Sequence, residues 1–439
     1  MTPSRSTPVQ AALSTSQSTS FSADGVQHQH EGRPAPRRHG KDVEASRRMS
    51  SRLRLMIRGR PDPDAAQWEA LGQALWRGDP LADELMTWMQ ANGMAKTWPQ
   101  FERALKDPAS VNGETPAALR AFILRTQGWP EWVNADKMRL GARVLQATGL
   151  HGMMVLRDAG LMAGYQASGI NQTLVMTGSL HKGAQRRVAE TTAWWLACTE
   201  DGGMAPGAEG FTMTLRVRLM HAMVRHQLCR NPQWDADELG LPVNQVDMQA
   251  TYLAFSVVQL LSLKTTGVWL TARESEAVMH LWRYIGWLMG VEDGLLCDDE
   301  HTGRTVLYQN TVSQAPADET SVLLGRALMD EPLHRHYANW KAVRGRFNKA
   351  RHLSLVRWFV GPEGMRALGL PATIPWYPLA VMAPFALRTL VLHAVPGLMA
   401  SWTKWARTRQ RNYLTVLMGD RSRPPHLTGN DPGSKGQAS

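Results

Sequence analysis

From about Ala65 onward the chain repeats apolar residues at helical spacing almost without a break, and nowhere does it sustain period-two alternation closed by hairpin turns. The fold class this dictates is all-α. Capping signals mark where helices begin. Asp79-Pro80 reads as an N-cap with proline at the first helical position, and Asp83 and Glu84 follow in the first turn of a helix running to about Gln90. Thr115-Pro116 opens another, and residues 134–148 form a third that stops at Gly149. Thr271 and Glu274 have capping-box spacing, while Asn244 with Asp247 introduces a long apolar segment ending near Gly267. Residues 152–156 and 174–177 are the two short stretches that strands could use. No repeat of fixed period is present, which argues against a solenoid.

A chain of 439 residues can bury one large helical core, and its 17 Trp and 23 Met against 7 Tyr and 8 Phe make that core bulky and adaptable. The division expected is a disordered basic tail over 1–60, a helical domain over 61–375, an apolar helical segment over 376–412 packed on the body or resting at a membrane surface, and a disordered tail over 413–439. The net charge of +11 splits into +7 for 1–60, +5 for 403–439 and −1 for the residues between. A near-neutral body with basic ends predicts no nucleic-acid groove, and fits solvated tails or weak attraction to anionic membranes. A crossing helix is disfavoured, because the longest charge-free run near the C-terminus, 367–387, contains four prolines.

Cys198, Cys229 and Cys297 are too few and too scattered for a disulfide framework or a thiolate zinc site. Neither Arg37-Arg38 nor Arg47-Arg48 is followed by the uncharged apolar run of an export signal. A cytoplasmic protein, with membrane association left open, is the expectation.

Nucleotide-binding glycine loops, the His-Glu-x-x-His zinc motif and the Gly-x-Ser-x-Gly elbow are all absent. His28 with His30 and His334 with His336 have i,i+2 spacing, which splays two rings apart on a helix. His221 is different. It shares helical periodicity with Val217, Met220, Val224 and Leu228, so the pattern points it into the core, whereas His226 falls on another face and is expected in solvent. Core histidines are mostly hydrogen-bonded structural groups, and a minority bind metal or haem. Upstream, Arg187, Glu190 and Thr191 stand at i, i+3 and i+4 as one polar strip, which periodicity alone reads as an exposed ion pair.

Taken in order, Arg187-x-x-Glu190-Thr191, Arg216-Val-Arg-Leu-Met-His221-Ala-Met-Val-Arg225, Asn244-Gln-Val-Asp247 leading to Thr251, and the 276–290 segment resemble the catalytic domain shared by latex-clearing proteins and mycophenolate-pathway side-chain oxygenases. Gly78-Asp-Pro-Leu-Ala82 is also similar, and the resemblance covers about 75–375. It implies an all-helical domain enclosing a b-type haem, with His221 as proximal iron ligand. It further implies Arg187 and Thr191 on the distal side, Thr251 close to the haem, and dioxygen-dependent cleavage of double bonds in apolar isoprenoid chains. Latex-clearing proteins carry a lysine where this chain has Glu190. A glutamate there leaves the iron five-coordinate, binds it weakly, or acts as an acid/base group. Arg218 and Arg225 are candidates for pairing with haem propionates and equally for structural ion pairs. Two other readings stay open: a haem monooxygenase or peroxidase, and a non-catalytic helical protein that binds haem or lipid.

Overall fold

A computed structural model describes residues 32–178 and 183–419, and these are helical with no strand among them. Numbering helices of seven or more residues, the order is α1 Val43–Met49, α2 Ala65–Ala74, α3 Pro80–Asn92, α4 Met94–Lys106, α5 Ala117–Thr126, α6 Ala135–Ala147, α7 Gly149–Val155, α8 Ser168–Met176 and α9 Ala184–Cys198. Then come α10 Glu209–Cys229, α11 Gln245–Leu253, α12 Gln259–Thr265, α13 Ala272–Leu288, α14 Glu300–Ser313, α15 Glu319–Asp330, α16 Lys341–Ala367, α17 Trp376–Ala394 and α18 Leu398–Met418. His28 and His30 lie outside the described residues.

The starts follow the capping chemistry. Asp79 accepts from Ala82 N with Pro80 at the first position, Asn244 accepts from Asp247 N, and Thr271 and Glu274 close a capping box. The two stretches that strands could have used are helical: 152–156 runs from α7 into a π-helix, Leu156–Leu161, and 174–177 closes α8. Short apolar runs do not distinguish a strand from a helix buried on several sides, and packing chose the helix. A second π-helix, Ala254–Val258, joins α11 to α12 and packs on the first, where a Cβ at Gly160 would stand 3.4 Å from the Ala254 carbonyl.

The main core gathers Phe101, Phe122, Trp195, Trp282 and Tyr284 around α3, α6, α10 and α13. Helices α6 and α13 lie closely together because Gly141 faces the Ala277 carbonyl, which a Cβ would approach to 2.3 Å. α18 packs across α6, α7 and α9, so the chain past 412 is part of the body rather than a tail up to Met418. The N-terminal expectation is corrected in the same way from Gly32 on. Arg38 is 2% exposed and pairs with Asp247 at 2.8 Å, Arg37 pairs with Asp235 and Glu238, and α1 packs on α14. Low apolar content hid this, because Arg37, Arg38 and Gly40 are held by charge and backbone bonds, and only Val43, Leu53 and Ile57 add a small apolar cluster with Tyr308 and Val312.

Candidate functional site

α10 is the central strut, packed between α3, α9 and α13. Its fully buried side carries Leu215, Leu219, Ala222 and His226. Of the stripe read as core-facing from the sequence, Leu228 is buried, whereas Val217, Met220, His221 and Val224 are on the half-open side. His226 is 1% exposed, with Nδ1 3.5 Å from Gln90 Oε1, so its expected solvent position is also corrected. The reason is that α10 is enclosed nearly all round, and its charged residues are buried with partners rather than turned to water.

Those partners decide the arginines. Arg216 holds Glu102 at 2.7 Å, and Arg218 grips both Asp79 oxygens at 2.6 and 2.8 Å while also donating to the Leu288 carbonyl at 3.1 Å. Arg225 pairs with Asp83 and donates to the Pro242 and Val243 carbonyls. Arg218 and Arg225 are thus engaged in structural ion pairs, one of the two roles that the sequence left open. The Gly78–Ala82 motif has the matching role. Asp79 caps α3 and neutralises Arg218, and Val243 is held at φ 51°, a costly backbone for a β-branched residue, beside the carbonyl that Arg225 grips.

His221 lies deep enough that burial, reinforced by the Arg225 charge, lowers its imidazole to about 4, yet part of its surface stays open. Deep position with an accessible edge is what a cavity wall presents. Nδ1 is buried without a hydrogen-bond partner, and the ring is neutral at pH 7, the form that ligates metals. Among the described residues no group of three or more His, Cys, Asp or Glu could hold a metal ion.

α9 and α8 pack on α10, and α11 carries the remaining candidate, Thr251. α9 runs along α10, where Trp194 donates to Thr214 at 3.0 Å and packs on Phe255 at 5.1 Å between ring centroids. On α9 Arg187 and Glu190 are half-buried and Thr191 is exposed. Glu190 takes Arg186, at 2.7 Å, as an ion partner, and Arg187 instead lies in hydrogen-bond reach of the buried Tyr165 hydroxyl. Burial raises that tyrosine's pKa and Arg187 opposes the rise. Thr251 is exposed on α11, its hydroxyl donating to the Asp247 carbonyl at 3.0 Å, and α8 contributes half-buried Leu174 and Val175. Sequence reasoning missed Tyr165 and the pairing of Arg186 with Glu190. Only the i,i+4 spacing of Arg186 and Glu190 could have indicated one of them.

A cavity of about 700 Å³ lies behind the other face of α11, lined by Ala159, Gly160, Ala250, Ala254 and Val258 from the paired π-helices and their flanks. Small residues on both π-helices leave this space, and its lining is mostly apolar.

The family described as ER-bound oxygenase mpaB/B′ and rubber oxygenase, catalytic domain, matches residues 146–394. Rubber oxygenase of Streptomyces sp. (strain K30) is 24% identical over 243 residues, covering 53% of this chain and 58% of that protein, so less than two thirds of the relative is spanned. A latex clearing protein solved in its closed state shares the fold, with a TM-score of 0.59 and 18% identity over 77% of this chain and 91% of that one.

Proposed function

The chain belongs to the family of ER-bound mpaB-type and rubber oxygenases, and from that premise we propose that it is a haem b-dependent oxygenase acting with dioxygen on an apolar, unsaturated, isoprenoid-like substrate. The reaction is oxidative cleavage of a carbon–carbon double bond, in which one dioxygen supplies one oxygen atom to each of two carbonyl products. The observation that carries the reading is His221: a neutral imidazole with an unpartnered buried nitrogen on the half-open side of α10, a helix that packs against α9, the carrier of Arg187, Glu190 and Thr191.

When bound, haem supplies the redox chemistry that activates dioxygen. The chain's own residues do the rest. His221, fixed by the buried pairs of Arg218 and Arg225, presents a ligand nitrogen from a rigid helix. Val217, Met220, Val224 and Phe255 offer an apolar wall that excludes water and accepts hydrocarbon. Glu190 is steadied by Arg186, so its carboxylate can accept or return a proton only by loosening that pair. Arg187, turned to Tyr165, is the remaining fixed cation near the strip.

The test is an absorption spectrum of purified protein with pyridine extraction of the haem. A Soret band lost in His221→Ala is expected, and a protein that stays colourless after haem is added refutes the proposal. At equal haem content, Glu190→Gln should slow oxygen uptake with unsaturated isoprenoids by about 10²-fold or more if the carboxylate moves a proton. Unchanged uptake would leave Glu190 a structural partner of Arg186.

A further inference from the structure

Basic residues also cluster away from the ends of the chain. Residues 341–418 carry 12 Lys and Arg against one acid, Glu363. The same stretch holds the exposed apolar surface: of 19 large hydrophobic side chains exposed among the described residues, 12 fall between Trp340 and Trp405. Strong basicity and exposed hydrocarbon on one surface is the pairing that a bilayer interface accommodates.

The geometry is that of a helix lying flat. α17 and the Gln245–Thr265 helical stretch have nearly equal mean hydropathy, 1.3 and 1.2, yet the first is 17% buried over its most apolar window and the second 67%. One side of α17 packs on α16 and α18, with Thr389 and Leu392 buried. The other exposes Leu379, Ala383, Leu387, Leu390 and Ala394, spaced by three or four residues along a single stripe. The surface is continuous with its neighbours. Phe347 of α16 packs on Trp376 at 6.0 Å, and Arg388 lies 4.9 Å over Trp402 of α18, which in turn packs on Trp405. Lys341, Arg346, Lys404 and Arg409 are exposed on these flanking helices and have no acidic partner among the described residues. Tryptophans beside lysines and arginines suit the headgroup layer, and an apolar stripe between them suits the acyl boundary.

We propose that the α16–α17–α18 surface docks on a lipid bilayer bearing anionic headgroups, with α17 in the plane of the interface. The apolar cavity opens beside it. Pro375, just before α17, and the exposed Leu55 and Met56 are among its lining residues, as is Phe359, which packs in the same cluster as Phe385 of α17. A hydrophobic substrate dissolved in the bilayer would therefore reach the cavity without crossing water. This last step rests on the oxygenase reading, whereas the docking itself does not and is read by binding alone.

The experiment is flotation of the full chain with phosphatidylcholine vesicles, with and without phosphatidylglycerol. Recovery with the anionic vesicles, weakened by high salt and by about tenfold or more in Leu387→Asp/Leu390→Asp and in Lys404→Glu/Arg409→Glu, is the expected result. Both double variants change exposed side chains, and unchanged circular dichroism and melting confirm that they fold. Protein that stays at the bottom of the gradient, or variants that float as well as the parent, would overturn the proposal. So would a parent that light scattering shows to be a dimer, dispersed by Leu387→Asp/Leu390→Asp, with no flotation of either, since a second copy would then cover the surface. Haem content and oxygen uptake are measured separately, so failure to float leaves the oxygenase reading standing.

Discussion

His221 and its arginine neighbours show how far one residue's context can reverse a periodicity reading. The stripe of Val217, Met220, His221 and Val224 is apolar yet stays half-open, and the truly buried side of α10 includes charged residues because each found a carboxylate. A motif read as surrounding a cofactor is therefore largely a clamp that fixes α10 against α3 and α13. Removing one member should cost stability rather than cofactor. Arg218→Met leaves Asp79 buried without its charge partner and should destabilise the fold by about 3–5 kcal/mol in urea titration. Haem bound per folded molecule should stay unchanged. Loss of haem at undiminished stability would instead give Arg218 the propionate role that the sequence left open.

At the scale of elements, most helix starts were legible, since an Asp, Asn or Thr cap acts within four residues of its own position. The two π-helices were not legible, nor was the choice of helix for 152–156 and 174–177, because both depend on what packs against the segment. The contact of α6 with α13 is the sharpest case. Gly141 reads in the sequence as a weakness in a helix, and in the fold it lets two helices meet. Gly141→Ala should raise helix propensity yet destabilise by about 1–3 kcal/mol, because its methyl would press on the Ala277 carbonyl, a backbone atom that cannot turn aside. Thermal melting decides the sign, and a stabilised variant would show that the helices can separate at little cost.

For the whole molecule, the N-terminal segment is a strap rather than a tail from Gly32 on. Arg38 joins α11 through Asp247 and its guanidinium abuts Gly169 of α8, two helices that border the candidate site, while Arg37 and Lys41 hold Asp235 and Glu238. Deleting residues 1–42 should leave Asp247 buried and uncompensated and cost about 3–5 kcal/mol, with looser binding of any cofactor held between α8 and α11. Deletion of 1–31 alone is the control, and equal stability of both truncations would make the strap dispensable.

By itself the sequence determined that this chain is helical, where many of its helices begin, and which ordered motifs place it in its family, because caps, periodicity and motif order are local or linear properties. Only the tertiary structure decided which side of α10 is open, which charges are committed to the fold, and that α17 is bare while an equally apolar helix is covered. Those depend on what residues distant in the chain bring alongside, and hydropathy is indifferent to whether a neighbour has arrived.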